Sequence, residues 1–242
     1  MSRPLYTIRR WFYGRRLLNV IRRIAKAPHD ELRDPAQVSQ LVRAAGLHFD
    51  ERGAYGSDNA FMNWQCEGLW QNPLQLGPCL AELSKHKIET FIEIGTSKGW
   101  TCSFITAYLY RFNPGLRAVT VDPVPQFLLY EKVRTMLPLD YALRKTSGDF
   151  KGKPFDLAFI DGDHSYPWLL KDYENVGRIA KIAMFHDIND DFVANKPGNV
   201  GGVRRFWQEL KRSESETSEF FEFTAHSGSA NVMGIGLRIS KA

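Results

Sequence analysis

Residues Phe91-Ile92-Glu93-Ile94-Gly95-Thr96-Ser97-Lys98-Gly99-Trp100-Thr101 put a short apolar run directly before a glycine turn and a second helix-forming run. This order constrains the fold more than any other stretch of the chain. A buried strand feeding a tight turn and then a helix is the unit from which parallel sheets are built. Glycine at the strand end permits a sharp bend and the close approach of a ligand. The first turn of the following helix offers that ligand free N–H groups. The spacing here is Gly-x-x-x-Gly, whereas a dinucleotide site calls for Gly-x-Gly-x-x-Gly.

From residue 88 onward strand and helix patterns alternate, which predicts a mostly parallel sheet with helices on both faces. The expected strands are 89–94, 117–122, 142–146, 155–160 and 181–186, with a terminal hairpin at 219–225 and 231–239. Helices are expected at 99–111, near 126–136, from Pro167 to about Ala180, and at 203–212. Ahead of the sheet, apolar residues at helical spacing predict helices over 4–27, 36–46 and from Pro73 to about Lys87, with a break from Pro28 to Asp34 and a polar stretch at 50–60. The chain divides accordingly into a basic amphipathic helix at 1–28, a helical lead-in at 29–87 and a main domain at 88–242.

Charge supports the first division. Residues 1–28 contain Arg3, Arg9, Arg10, Arg15, Arg16, Arg22, Arg23 and Lys26 and no acid. Without these, the 32 basic residues of the chain fall below its 27 acidic ones. The basic character is therefore local, and a nucleic-acid partner, which needs a basic face on the fold, is not expected. Trp11, Phe12 and Tyr13 lie among the arginines. A helix of that composition suits an anionic membrane surface; packing on the domain or on a second copy is the competing expectation. No apolar window is long enough for a transmembrane helix. Cys66, Cys79 and Cys102 form no paired framework, which fits a reducing, cytoplasmic setting, peripheral at the inner face of the membrane if the arm engages it.

Ligands of open parallel sheets bind outside the carboxyl ends of the strands. Acids gather at these ends: Glu93, Asp122, Asp149, Asp161 and Asp187 follow five successive strands. An acid after the second strand can accept both ribose hydroxyls of a nucleoside. Asp149, beside Phe150, suits an adenine amino group with the ring against the base. A single such acid is as readily a helix cap; five in register are harder to dismiss.

Glu93-x-Gly95-x-x-x-Gly99, Val121-Asp122-Pro123, Ile160-Asp161-Gly162-Asp163-His164-Ser165-Tyr166 and Phe185-His186-Asp187 together resemble the class I S-adenosylmethionine (SAM) methyltransferases. They are most similar to a subgroup that includes bacterial sugar and cephalosporin-type O-methyltransferases. The resemblance covers roughly residues 70–240. It implies a Rossmann-like seven-strand sheet whose last hairpin contributes an antiparallel strand. It also implies SAM held by Glu93, Gly95, Thr96, Ser97, Gly99, Thr101, Asp122, Asp149, Phe150 and Asp161. Several such enzymes bind Mg²⁺ or another divalent cation through acids after strands four and five. The matching positions are Asp161 and Asp187, with His186 standing where metal-dependent relatives tend to have a second acid. Imidazole is a poor ligand for Mg²⁺.

His164, just past strand four, is the expected general base together with Asp161, because an ordinary imidazole pKa suits proton removal near neutrality. The loop 189–202, rich in Gly, Asn and Asp, is expected to close over the substrate. The expected activity is methylation of a hydroxyl on a sugar, glycan or small natural product, by an enzyme able to form homo-oligomers. An NAD-dependent oxidoreductase and a non-catalytic SAM-binding or membrane-associated protein are the alternatives.

Overall fold

The computed structural model describes residues 3–46, 68–127, 129–189, 202–225 and 233–241, with side chains of the first helix from Gly14 onward. The polar stretch 50–60, Cys66 and nearly all of the loop 189–202 lie outside the described residues. Among the described residues no helix is long and apolar enough to cross a membrane.

Seven strands form one sheet: β1 Thr90–Ile94, β2 Arg117–Asp122, β3 Leu139–Leu143, β4 Leu157–Ile160, β5 Ile182–His186, β6 Ser218–Phe223 and β7 Ile235–Ser240. Their order is β3-β2-β1-β4-β5-β7-β6. The first five are parallel, and β7 runs antiparallel to both β5 and β6. This is the expected Rossmann-like arrangement. β4 and β5 are buried at every position, as apolar runs must be when helices cover both faces of a parallel sheet.

The helices are α1 Arg3–Lys26, α2 His29–Arg33, α3 Pro35–Ala45, α4 Pro73–Leu83, α5 Trp100–Phe112, α6 Tyr130–Val133, α7 Tyr166–Asp172 and α8 Gly202–Ser213. The larger apolar cluster joins α1, α3, α4 and α5 to the sheet; a second joins α7 and α8 to β5. Asn72 starts α4 by accepting a hydrogen bond from Leu74 N at 2.8 Å. That cap fixes the direction from which the lead-in approaches the strand ends.

The structure departs from the expected elements at several points. β3 begins three residues earlier than expected, at Leu139, where it pairs with Ala118. Leu137 and Leu139 are both buried, and the strand ends before Arg144, which takes φ 57°. Residues 147–150 are a 3-10 turn after the strand. The helix expected near 126–136 shrinks to Tyr130–Val133, because Phe127 before it is drawn into the core. The helix after β4 continues from α7 as a π-helical turn, Tyr173–Gly177. α4 stops at Leu83, and the segment expected to break the pattern contains α2.

The larger correction concerns α1. Leu17, Val20, Ile21 and Ile24 are at most 2% exposed, packed into the main apolar cluster. Arg16 donates to Ala44 O at 3.1 Å and Arg43 O at 3.0 Å at the end of α3. From Gly14 to Lys26 the apolar stripe thus faces protein rather than lipid, so this part of the helix is not separable from the domain. Burying four such side chains contributes roughly 6–12 kcal/mol, which no loosely attached helix does.

Candidate active site

The turn after β1 is built by its neighbours. Gly95 has φ 101°, and a Cβ there would sit 2.1 Å from the Asp161 carbonyl oxygen. Only glycine lets β1 and β4 end this close together. Gly95 N donates to Val121 O at 2.9 Å, and Asp161 N donates to Ile94 O at 2.9 Å. Gly99 starts α5 with φ 81°. Asp122 Oδ2 accepts from Ser97 N at 2.8 Å, and its Oδ1 accepts from Val124 N at 2.7 Å. The acid expected to meet ribose therefore also clasps the turn, and each oxygen keeps a further lone pair.

Glu93 lies behind this turn. It is fully buried, Oε2 accepts from Thr120 Oγ1 at 2.6 Å, and Oε1 has no hydrogen-bond partner among the described residues. Thr96 Oγ1 is 2.6 Å from Thr120 Oγ1, completing a chain from Glu93 to the turn. Burial raises the Glu93 carboxyl well above the ordinary range, only partly offset by Thr120. Glu93, expected to help hold the cofactor, is thus a buried acid that supports Thr96 through Thr120.

Asp149 sits in the 3-10 turn after β3 and closes a capping box with Thr146, whose N–H it accepts at 2.9 Å. Lys145 Nζ lies 2.9 Å from its other oxygen. These two partners lower its pKa, the Thr146 amide most. Phe150 is half-buried against Phe155, with Lys153 over its ring. Beneath this turn Ser147 donates to the buried Asp172 of α7 at 2.5 Å and accepts from Asn175 at 2.9 Å. Nothing in the spacing of Ser147, Asp172 and Asn175 announces that network.

Asp161, His164, His186 and Asp187 come together at the carboxyl ends of β4 and β5. His164 Nδ1 is 3.1 Å from Asp187 Oδ2, and its Nε2 is 3.5 Å from Asp161 Oδ1. His186 Nδ1 lies 3.1 Å from Asp161 Oδ1 and 3.3 Å from Asp187 Oδ1. Asp187 has φ 60°, an uncommon conformation of the kind that gathers at functional sites. Burial alone would raise the Asp161 carboxyl, but the two imidazoles outweigh it and hold it at about 2. Burial works against both imidazolium forms, yet the two carboxylates raise His186 to about 9 and His164 well above its ordinary value. The expectation that His164 titrates near neutrality is therefore corrected. The sequence places it beside acids, but only the fold sets it between two of them.

Among the described residues no three His, Cys, Asp or Glu side chains are arranged to hold a metal ion. Asp161, His186 and Asp187 pair with one another and with His164 instead of converging on a point. As arranged, these residues do not fit a divalent cation.

One member of the cluster comes from outside the strand ends. Gln71, in the lead-in just before α4, donates from Nε2 to Asp161 Oδ2 at 3.3 Å. A single glutamine ahead of a helix carries no sequence signal, so reading the chain alone misses it.

Comparison with known proteins agrees with this geometry. Residues 92–188 match the profile of a family described as a methyltransferase domain. The fold is similar to that of an O-methyltransferase from Bacillus cereus, solved with S-adenosylhomocysteine (SAH), at 16% identity over 89% of this chain and 92% of that one, with a TM-score of 0.50. It is similar also to a Klebsiella pneumoniae protein assigned as an O-methyltransferase, at 18% identity, TM-score 0.51, over 68% and 77% of the two chains. A third is the CurJ carbon methyltransferase, at 14% identity, TM-score 0.50, over 69% and 53%. No protein with a curated description matches. The glycine turn, the acids beyond the strands and the strand order define a Rossmann-like fold. Within that fold, residues 92–188 are similar to a methyltransferase domain.

Proposed function

We propose that this enzyme methylates a hydroxyl oxygen of a sugar, glycan or other small-molecule acceptor, with His164 receiving the proton. The observation that carries this reading is His164 held between Asp161 and Asp187 beside the end of β4. Gly95, Thr96, Ser97, Gly99, Thr101 and Asp122 form the cofactor cradle. Asp149 and Phe150 serve its adenine end, and Asp161 flanks the reacting centre. The tight glycine turn at Gly95, packed against the end of β4, and the free lone pairs of Asp122 suit a nucleoside with an amino-acid tail.

Bound SAM supplies an electrophilic methyl group on a sulfonium. Oxygen attack forms the O–CH₃ bond as the S–CH₃ bond breaks, and the hydroxyl proton passes to His164 in its neutral form. Asp161 and Asp187 orient the ring and stabilise the imidazolium that results. Much of the acceleration comes from positioning the two partners in line.

The test has two parts. SAH should raise the melting temperature and NAD should not, since a ligand that binds only the folded state stabilises it. Labelled methyl groups should then pass from SAM to at least one member of a panel of hydroxylated sugars and natural products. His164→Ala should slow that transfer by about 10²–10⁴-fold while leaving the SAH shift in place. Stabilisation by NAD alone would overturn the reading, as would transfer exclusively to nitrogen or carbon acceptors.

A further inference from the structure

We infer that Gln71 is a ligand-binding and positioning residue of the methyltransferase site, supplied by the lead-in rather than by the domain that matches the family profile. This rests on the proposed placement of SAM at the β1 turn. Three observations carry it. The Gln71 side chain is fully buried, although a primary amide needs partners for two donors and an acceptor. Its Nε2 reaches Asp161 Oδ2 at 3.3 Å, while Asp161 Oδ1 serves His186 and His164. Its Oε1 is buried with no hydrogen-bond partner among the described residues, as is His186 Nε2 in the same cluster.

A buried carbonyl without a donor costs free energy unless a ligand satisfies it. Nε2 fixes one oxygen of Asp161 and so aims the other at the imidazoles. Oε1 is left as an acceptor beside the residue whose backbone carbonyl lies against Gly95. The ligand group that suits it is a cationic N–H donor. SAM and SAH offer one such group, the ammonium of the amino-acid end, while Asp122 at the end of β2 takes the ribose side. The lead-in thus clamps the catalytic carboxylate and holds the tail of the cofactor with one side chain.

The experiment uses the full chain with SAH as the probe. SAH affinity is measured by calorimetry for the wild type, Gln71→Leu and Gln71→Glu, alongside the melting temperature of each ligand-free protein and the imidazole NMR signals of His164 and His186. Gln71→Leu should weaken SAH binding about tenfold or more, the loss expected for a hydrogen bond to a charged group. It should melt within a few degrees of the wild type and shift the His186 and His164 signals. Gln71→Glu, which sets a carboxylate against Asp161, should move those signals further.

Unchanged SAH affinity in both variants would overturn the inference, whether or not the melting temperature falls. So would weakened binding with imidazole signals that stay in place. Failure of the wild type itself to bind SAH would instead refute the proposed function, and the two failures are thereby distinguishable.

Discussion

Replacing Gly95 by alanine tests whether the contact between the β1 turn and the β4 end builds the cofactor site. The substitution adds one methyl group at φ 101°, 2.1 Å from Asp161 O, 2.6 Å from Asp161 C and 2.8 Å from Gly162 Cα. None of these is the far end of a flexible side chain, so the backbone itself must give. A left-handed alanine costs roughly 1–2 kcal/mol, and forced overpacking adds about 1–3 kcal/mol. At about 2–4 °C per kcal/mol for a chain of this size, the melting temperature should fall by roughly 4–20 °C. Gly152 is the control, because it also has positive φ, 77°, but an added Cβ would meet nothing within 4 Å. Gly152→Ala should therefore show only the backbone cost, roughly 1–2 kcal/mol, and keep its affinity for SAH. Gly95→Ala should in addition lose more than tenfold in SAH affinity, since separating the turn from β4 breaks the bond from Asp161 N to Ile94 O. Thermal denaturation and calorimetry read both effects. If the two variants melt alike and bind SAH alike, the close approach at Gly95 is incidental and the reasoning fails.

Deleting residues 1–28 should leave an unfolded or aggregating protein, because it strips Leu17, Val20, Ile21 and Ile24 from the core; Ile21→Ala alone should cost about 2–5 kcal/mol in a denaturant titration. A soluble, cooperatively melting truncation would show that α1 is dispensable. Transfer should rise with pH above neutrality, since the neutral form of His164 appears only above its ordinary pKa, and a profile already flat by pH ~6.5 would oppose this. Stability has the opposite slope. His186 is raised to about 9 in the folded protein, so its contribution is complete below the unfolded value and is lost as pH climbs through about 9, where the melting temperature should drop. Methyl transfer should survive exhaustive chelation, given that the acids and histidines pair among themselves; restoration by Mg²⁺ or Mn²⁺ after complete loss would show that ligand rearranges them.

The mostly parallel sheet and the positions of the end-of-strand acids follow from residues that carry strong local signals. Gly95 must be glycine, and the run from Phe159 to Tyr166 joins a buried strand to a polar turn. Weaker local signals were overridden by packing. Leu139 and Tyr141 look no more strand-like than residues 142–146, and register against β2 decides between them. The arginines of α1 hide an apolar stripe whose destination, α5 or lipid, cannot be told from helical spacing alone. Glu93 reads as a charged ligand because its type is visible and its burial is not. Gln71 and Asp161 are 90 residues apart, so their meeting depends on how α4 docks against the sheet and on no pattern within either segment.

β7 lies between β5 and β6, although it is made after both of them. During synthesis, domains begin to fold from the amino-terminal side, so β1, β2, β3 and β4 can pair as they emerge. β5 carries His186 and Asp187 at its end, yet its second edge stays open until Ile235–Ser240 arrives to pair with it. A nascent chain therefore presents a bare apolar edge strand, the kind that recruits other chains, for the whole interval in which α8 and β6 are translated. The half of the site that activates the acceptor matures last, and a ribosome stalled in that interval leaves a product prone to aggregation rather than a partly active enzyme.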